Sequence, residues 1–259
     1  MFFKHTGINL YRMKKLIIYL IFINFYSFSQ NKSTSVIYDL IIVMDDETKE
    51  IDKKYGYIQK AMDAAKELDY ILVFNSNEAN FYQKDNNSLD NTSKYMANAI
   101  CNIAKNNYIN IEKKHVLKEN LNDGYLFKKD EFLVKDTLYT NWELTEEKKV
   151  IGNYLCFKAT TKKKTIKLVN EKEKEFYETV TAWFCPSLPY SFGPSNYAGL
   201  PGLILELQER DFVFIIKSIN FDVEKNVIPL QSDKIISSKE YYELKKKRME
   251  LLQEMAGQK

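Results

Sequence analysis

The chain has 259 residues, 45% of them hydrophobic and 28% charged, with 38 Lys and Arg against 35 Asp and Glu. That length suits one well-buried domain or two small ones, and so even a charge balance argues against a nucleic-acid surface, which needs basic residues gathered on one face. Two histidines and three cysteines are few ingredients for a metal centre or for His-dependent nucleophilic catalysis.

The surplus of positive charge sits at the start of the chain. Lys14 and Lys15 lead into an apolar run from Leu16 to Phe25 broken only by Asn24, and Ser27 and Ser29 supply small residues at the spacing a signal peptidase reads. Residues 1–29 are therefore read as a secretory signal peptide, the run being too short for a membrane span of about 20 apolar residues. No cysteine stands near the cleavage site, so no lipid anchor is expected. Lys4, Arg12, Lys14 and Lys15 leave with the signal, after which basic residues no longer outnumber acidic ones. The mature chain, 30–259, is expected to be a single β-rich domain without a transmembrane segment, exported to the periplasm or outer envelope or fully secreted.

Ser35–Met44 is β-branched and apolar and predicts a first strand. Tyr57, Ile58, Ala61, Met62, Ala65 and Leu68 recur at helical spacing and predict a helix over 55–68. Residues 69–83 follow as a hairpin turning at Asn75-Ser76-Asn77. The Asn-rich stretch 84–106 is read as a loop, with a helical turn near Met96–Ile103. Short strands are then expected near 107–111, 125–127, 131–135, 141–147, 150–161, 176–185, 202–208 and 212–221. Ser237 and Glu240 have the spacing of a capping box, and Tyr241, Leu244, Leu251, Leu252 and Met255 form one helical stripe behind it. Strands in series with helices at the ends imply the α+β class: a single curved antiparallel sheet, in the form of an open half-barrel, with a helix at 55–68 and another at the C-terminus.

Residues 150–185 specify their own register. Leu155, Phe157 and Ala159 are apolar on one strand, and Val180, Ala182 and Phe184 on the other. Burying both sets on one face requires an odd position to oppose an even one. With the turn centred between Asn170 and Glu171, Cys156 lies opposite Cys185 on the other face, beside Tyr154 and Trp183. An oxidising compartment would allow that pair to bond, although strain can equally disfavour a cross-strand bridge. Cys101 is read as a buried apolar thiol.

Motifs that carry chemistry are scarce. After signal removal His115 is the one histidine left, in a Lys-rich segment (EKKHVLKEN) that reads as exposed, and the cysteines lack metal-ligand spacing. Asp45-Asp46 and Glu146-Glu147 are neighbours in sequence, so on strands they would point to opposite faces. No catalytic residue, metal or cofactor is assigned. "GPSNYAGLPGLILEL" (193–207) fits neither a P-loop nor a dinucleotide fingerprint. Pro201 and Gly202 instead suit the centre of a type II turn feeding a core strand, with Gly199, Pro201 and Gly202 as structural turn residues. Leu203, Leu205 and Leu207 would then share one face. The preceding loop, CPSLPYSFGPSNYAG, carries Tyr190, Phe192 and Tyr197, positioned either to cap the core or to close over a ligand.

On these residues the chain resembles the GLPGLI family of exported Bacteroidota-type proteins, whose motif stands here at Gly199–Ile204. The likeness includes Trp142, IGNYLCFKAT (151–160), AWF (182–184), PY (189–190), GP (193–194) and YAGLPGLILEL (197–207), and extends weakly to YILVFNSNEANFY (70–82). This chain departs from the family pattern in its longer Lys/Glu-rich hairpin. The resemblance implies an exported β-rich domain and no particular activity. A signal peptide followed by a curved sheet with helices is also similar to half-barrel carriers such as the lipoprotein chaperone LolA, an analogy of fold only. The expected function is a non-catalytic envelope protein binding an apolar ligand, lipid or peptide, with Trp183, Tyr190, Phe192 and Tyr197 lining or gating the opening. The alternative is an assembly subunit of an envelope complex, docking through a sheet edge or the C-terminal helix; a secreted hydrolase comes third.

Overall fold

The structure, a computed structural model, describes residues 32–43, 49–50, 58–84, 89–90, 106–120, 126–128, 130–169 and 172–257. The predicted signal segment 1–29, the helical turn expected near Met96–Ile103, Cys101 and Asp45-Asp46 lie outside the described residues. Twelve strands form one open sheet: β1 (Ser33–Ile42), β2 (Tyr70–Phe74), β3 (Glu78–Gln83), β4 (Asn106–Asn110), β5 (His115–Glu119), β6 (Leu133–Thr137), β7 (Glu143–Ile151), β8 (Tyr154–Val169), β9 (Lys172–Cys185), β10 (Leu203–Glu209), β11 (Phe212–Val223) and β12 (Ile235–Ser237). Their order is β12-β6-β5-β4-β3-β2-β1-β11-β10-β9-β8-β7. Every pairing is antiparallel except β12 with β6. Among the described residues, helices α1 (Ile58–Lys66) and α2 (Ser238–Gly257) flank it.

One face of the sheet carries a nearly continuous apolar row. From β1 it runs Leu40–Phe214–Leu207–Ala182–Ala159 through β11, β10 and β9 to β8. In the other direction Thr34, Phe74, Ala79, Ile109 and Val116 stand opposite one another from β1 to β5. All of these residues are buried. α1 presses Ala64 and Ala65 into the same core, packing on β1, and Leu68 just beyond its end joins them. Tyr70 stacks on Phe81 with centroids 6.3 Å apart and meets Phe214 edge-on at 5.3 Å. The row is not wholly apolar: Asn107, on β4 beside Phe81, is 1% exposed, and among the described residues neither its amide oxygen nor its nitrogen has a partner.

The capping box at the start of α2 forms as the sequence predicts. Ser237 donates its backbone N–H to Glu240 Oε2 at 2.7 Å, and Glu240 donates its own to Ser237 Oγ at 3.2 Å. Two local expectations change. The His115 segment is a strand, its Val116 and Leu117 buried despite the flanking lysines. Leu126 and Phe127 lie outside any strand, and Phe127 instead packs with Phe132 and Tyr241 beneath α2.

The β8–β9 hairpin meets at the expected register, with Phe157 opposite Phe184 and Val169 opposite Lys172. β7 accompanies β8 only as far as Thr160, and β10 accompanies β9 only as far as Val180. Beyond that the hairpin is a two-stranded ribbon of eight residue pairs, Lys162–Thr179 to Val169–Lys172, roughly 27 Å long at strand rise.

Candidate functional site

The loop 186–202 leaves β9, crosses the inner face of the sheet and re-enters as β10. Its backbone is pinned throughout. Leu188 donates to Cys185 O (3.1 Å), Gly199 to Ser191 O (2.9 Å) and Ala198 to Tyr139 O (3.1 Å), while Tyr139 donates to Asn196 O (2.9 Å). Leu203 and Ile204 bond back to the carbonyls of Leu188 and Phe192 at 2.9 and 3.0 Å. A segment without regular structure thereby satisfies its buried polar groups, which such a loop must do to sit inside a core.

Two glycines of the motif are required for different reasons. Gly199 holds φ at +88°, the left-handed region, and a Cβ there would also stand 2.9 Å from Thr140 Cβ. Gly202 does not adopt a left-handed φ, so the type II turn expected at Pro201-Gly202 is not what requires glycine there. The requirement is close approach: a Cβ at Gly202 would lie 2.3 Å from the carbonyl oxygen of Cys185. A bulge at Leu205 also alters the expected alternation. Ile204 faces Phe184 and Leu207 faces Ala182, whereas Leu203 and Glu206 share the opposite face with Cys185 and Trp183.

Three of the four aromatic residues singled out in the sequence come together on the inner face. Phe192 stacks on Phe74 at 5.2 Å, Tyr190 packs on the same ring at 5.0 Å, and Tyr197 stacks on Tyr139 at 5.3 Å. Trp142 donates its indole N–H to Ala198 O at 2.8 Å and borders Tyr197. Phe192 is 1% and Tyr197 0% exposed, while Tyr190 is half-buried. Trp183 is not part of this group. It lies on the outer face, where Lys149 Nζ sits 4.4 Å above its ring and bonds to Glu206 at 2.7 Å.

A belt of charged groups runs along the same inner layer, and sequence reading missed it. Tyr197 donates its hydroxyl to Glu209 Oε2 at 2.5 Å, and Lys163 bonds to the other Glu209 oxygen. Asn196 donates to Thr137 O at 2.9 Å, and Lys118 pairs with Asp136 at 2.6 Å, with Ser238 donating to the same carboxylate at 3.0 Å. Burial acts to raise the Glu209 and Asp136 carboxyls. The adjacent Lys163 and Lys118 charges and their hydrogen bonds outweigh it and hold both below the ordinary range. Burial, helped by Asp136 and Glu209, pushes the Tyr139 phenol up to about 12, and burial pushes Tyr197 higher still. At neutral pH the belt is thus a set of compensated ion pairs and neutral phenols. One sequence signal pointed to it, the charged Glu209 two residues after core Leu207 on the same face.

A second concavity, about 350 Å³, opens on the outer face between β5–β6 and residues 230–233. Its walls include Phe132, Leu133 and Leu230, with the carboxylates of Glu119, Asp130 and Asp233 around them. Among the described residues no three His, Cys, Asp or Glu side chains converge as metal ligands. His115, half-buried, is held below its ordinary pKa by burial and by the Lys135 charge. Cys156 and Cys185 are both free thiols, fully buried on the outer face, so the bond that their register would permit is not made in this structure.

With the geometry in place, comparison with known proteins adds the following. A family model described as a protein of unknown function (Porph_ging) matches residues 142–206, the stretch that holds Trp142, the hairpin base, the aromatic loop and the Gly-Leu-Pro-Gly turn. No curated protein matches the sequence. Among solved structures, PNGF-II in its P21 crystal form matches with a TM-score of 0.44 and 15% identity over 84% of this chain and 34% of that one. The C2 form of PNGF-II gives 0.44 and 16% over 84% and 33%. The chain therefore spans about a third of the length of the solved structures that it matches.

Proposed function

We propose that the protein is an exported, non-catalytic assembly module that docks another envelope protein through the distal half of α2. The observation that carries this reading is a helical stripe only half of which is covered. Tyr241 and Leu244 pack on Phe127 and Phe132, and Arg248 pairs with Glu131 at 2.5 Å while lying over the Phe127 ring. The same stripe continues through Leu251, Leu252 and Met255, which with Met249 are 40–67% exposed. A stripe continued for two turns beyond its own core is the form of a helix that meets a partner's apolar surface. The rival reading, an apolar ligand held against the inner face, loses support because Phe192 and Tyr197 fill that space as core. The outer cleft has carboxylates in its wall, an unfavourable lining for an uncharged apolar guest.

The test is a comparison of two full-length chains expressed in the native envelope, wild type and Leu251→Glu/Leu252→Glu. A defined partner that cross-links to the wild-type helix and is lost from the variant, with both chains equally folded by circular dichroism, supports docking. Equal recovery with both chains rejects it. Native mass spectrometry of the wild type addresses the rival reading, since an added mass shed on denaturation would restore the ligand carrier. Mass measurement of the mature chain tests export, cleavage after Ser29 being the expected result.

A further inference from the structure

We propose that Cys156 and Cys185 are an oxidation site, closing into one intrachain disulfide that staples β8 to β9 where the 186–202 loop leaves the sheet. The β8–β9 ladder ends at Phe157–Phe184, and Cys156 and Cys185 are the next residues of the two strands beyond that pair, near enough for Cys185 to act on the Cys156 sulfur electrostatically. Both side chains are fully buried on the same face. Antiparallel neighbours have Cα atoms about 4.5–5.5 Å apart, inside the span of about 4.4–6.8 Å that disulfides occupy. A staple can therefore form without moving the backbone far.

The surroundings single out this pair. The thiols have only weak local partners among the described residues, Cys156 the carbonyl of Tyr154 at 3.5 Å and the backbone of Ile151, and Cys185 the hydroxyl of Ser187 at 3.0 Å. Neither engages in a metal cluster among the described residues. Lys149 and Glu206, joined at 2.7 Å beside Trp183, lie close enough to act on the Cys156 sulfur electrostatically. Burial pushes the Cys156 thiol up to about 12, with Cys185 adding to the shift, so the folded, reduced pair is slow to react with reagents in solution. The bond consequently forms while the hairpin assembles, before the Gly-Leu-Pro-Gly turn closes against Cys185. Chemically, one sulfur as thiolate attacks a disulfide oxidant and expels a thiolate. The second sulfur then displaces the remaining half of the oxidant. Overall the two cysteine thiols give up two protons and two electrons, which the cleaved S–S bond of the oxidant takes up to become two thiols.

The site also bears on the motif. Gly202 lies against the Cys185 carbonyl, and Leu203 pairs with Cys185 across β10. A staple at this point fixes the residue on which the Gly-Leu-Pro-Gly turn rests.

The experiment uses the full chain carrying Cys101→Ser, so that only this pair can react. The protein is refolded with oxidised and reduced glutathione, its free thiols are blocked with N-ethylmaleimide in denaturant, and it is digested without reductant. The expected product is a single linked peptide pair containing Cys156 and Cys185, lighter by two hydrogens than its parts and separated by dithiothreitol. Recovery of both cysteines alkylated, or of either joined only to glutathione, overturns the proposal. For a chain that fails to refold, the same digest of protein isolated without denaturation from an oxidising compartment gives the same two outcomes.

Discussion

The base and the tip of the β8–β9 hairpin are built from one continuous pair of strands, yet they differ in nearly every physical respect. At the base, Ala159, Val180, Ala182 and Phe184 are buried between the sheet and the aromatic loop. Toward the tip, Lys163 faces Glu178 and Lys164 pairs with Glu175 across the strands, while Phe176 and Tyr177 stand 38% and 61% exposed. Backbone pairing continues through both regions. What separates them is the presence of third and fourth strands and of a layer to pack against. A strand pair alone is marginal in water, so the ribbon is held by its base and contributes little back.

The widest split between the two regions should come from the same substitution made on the same strand. Phe184→Ala at the base is expected to cost about 3–5 kcal/mol in urea unfolding, and Phe176→Ala at the tip less than about 1 kcal/mol. Equal costs would show that the ribbon is folded against something else. Gly202→Ala is expected to cost about 1–3 kcal/mol, since its Cβ meets backbone rather than a flexible side-chain end. Asn107→Leu is expected to leave stability unchanged or raise it by about 1 kcal/mol, because it removes a buried amide that has no partner.

Acid should then loosen α2. Hydrogen bonds from Arg248, working against desolvation, hold the Glu131 carboxyl down to about 2. A depressed folded-state value gives stability that is complete above the ordinary carboxylate range and is lost as pH falls through it toward about 2. Hydrogen exchange in α2 should accordingly rise between those limits, and an Arg248→Ala chain should show that rise already at neutral pH. The smallest effect belongs to the tip. Lys164→Ala should leave the urea-unfolding midpoint where it is in the parent chain, its pair with Glu175 being exposed to solvent.

Much of the fold was legible because period-two alternation is strict where one face is buried. The register of β8 against β9 followed from the alternation of six apolar residues, although Leu155, expected to be buried with Phe157 and Ala159, stands 50% exposed next to the edge strand β7, and the α2 capping box followed from two. Other features follow from contacts that no local pattern encodes. The strand at His115 was hidden by its lysines, although Val116 and Leu117 carried its apolar signal. The Leu205 bulge shifts every later side chain of β10 to the other face, and alternation cannot foresee an inserted residue. Gly202 was correctly marked as required, but for a turn conformation rather than for the carbonyl pressed against it. The aromatic loop was recognised by composition, and only its burial showed that it completes the core. Trp183 belonged with the cysteines by strand parity, and that parity was the better guide to its place than its aromatic character.

The position of β1 has a kinetic consequence. It lies between β2, which begins at Tyr70, and β11, which begins at Phe212. The first strand of the sheet thus acquires its second neighbour only when four-fifths of the chain is available, a strongly non-local closure of the kind that slows folding. A nascent chain cannot seal its core early. Loss of the segment from Phe212 onward would leave the Val213, Ile215 and Ile216 partners of β1 missing and its hydrogen-bonding edge open, and edge-to-edge aggregation, rather than a smaller folded domain, is the outcome that exposed edge invites.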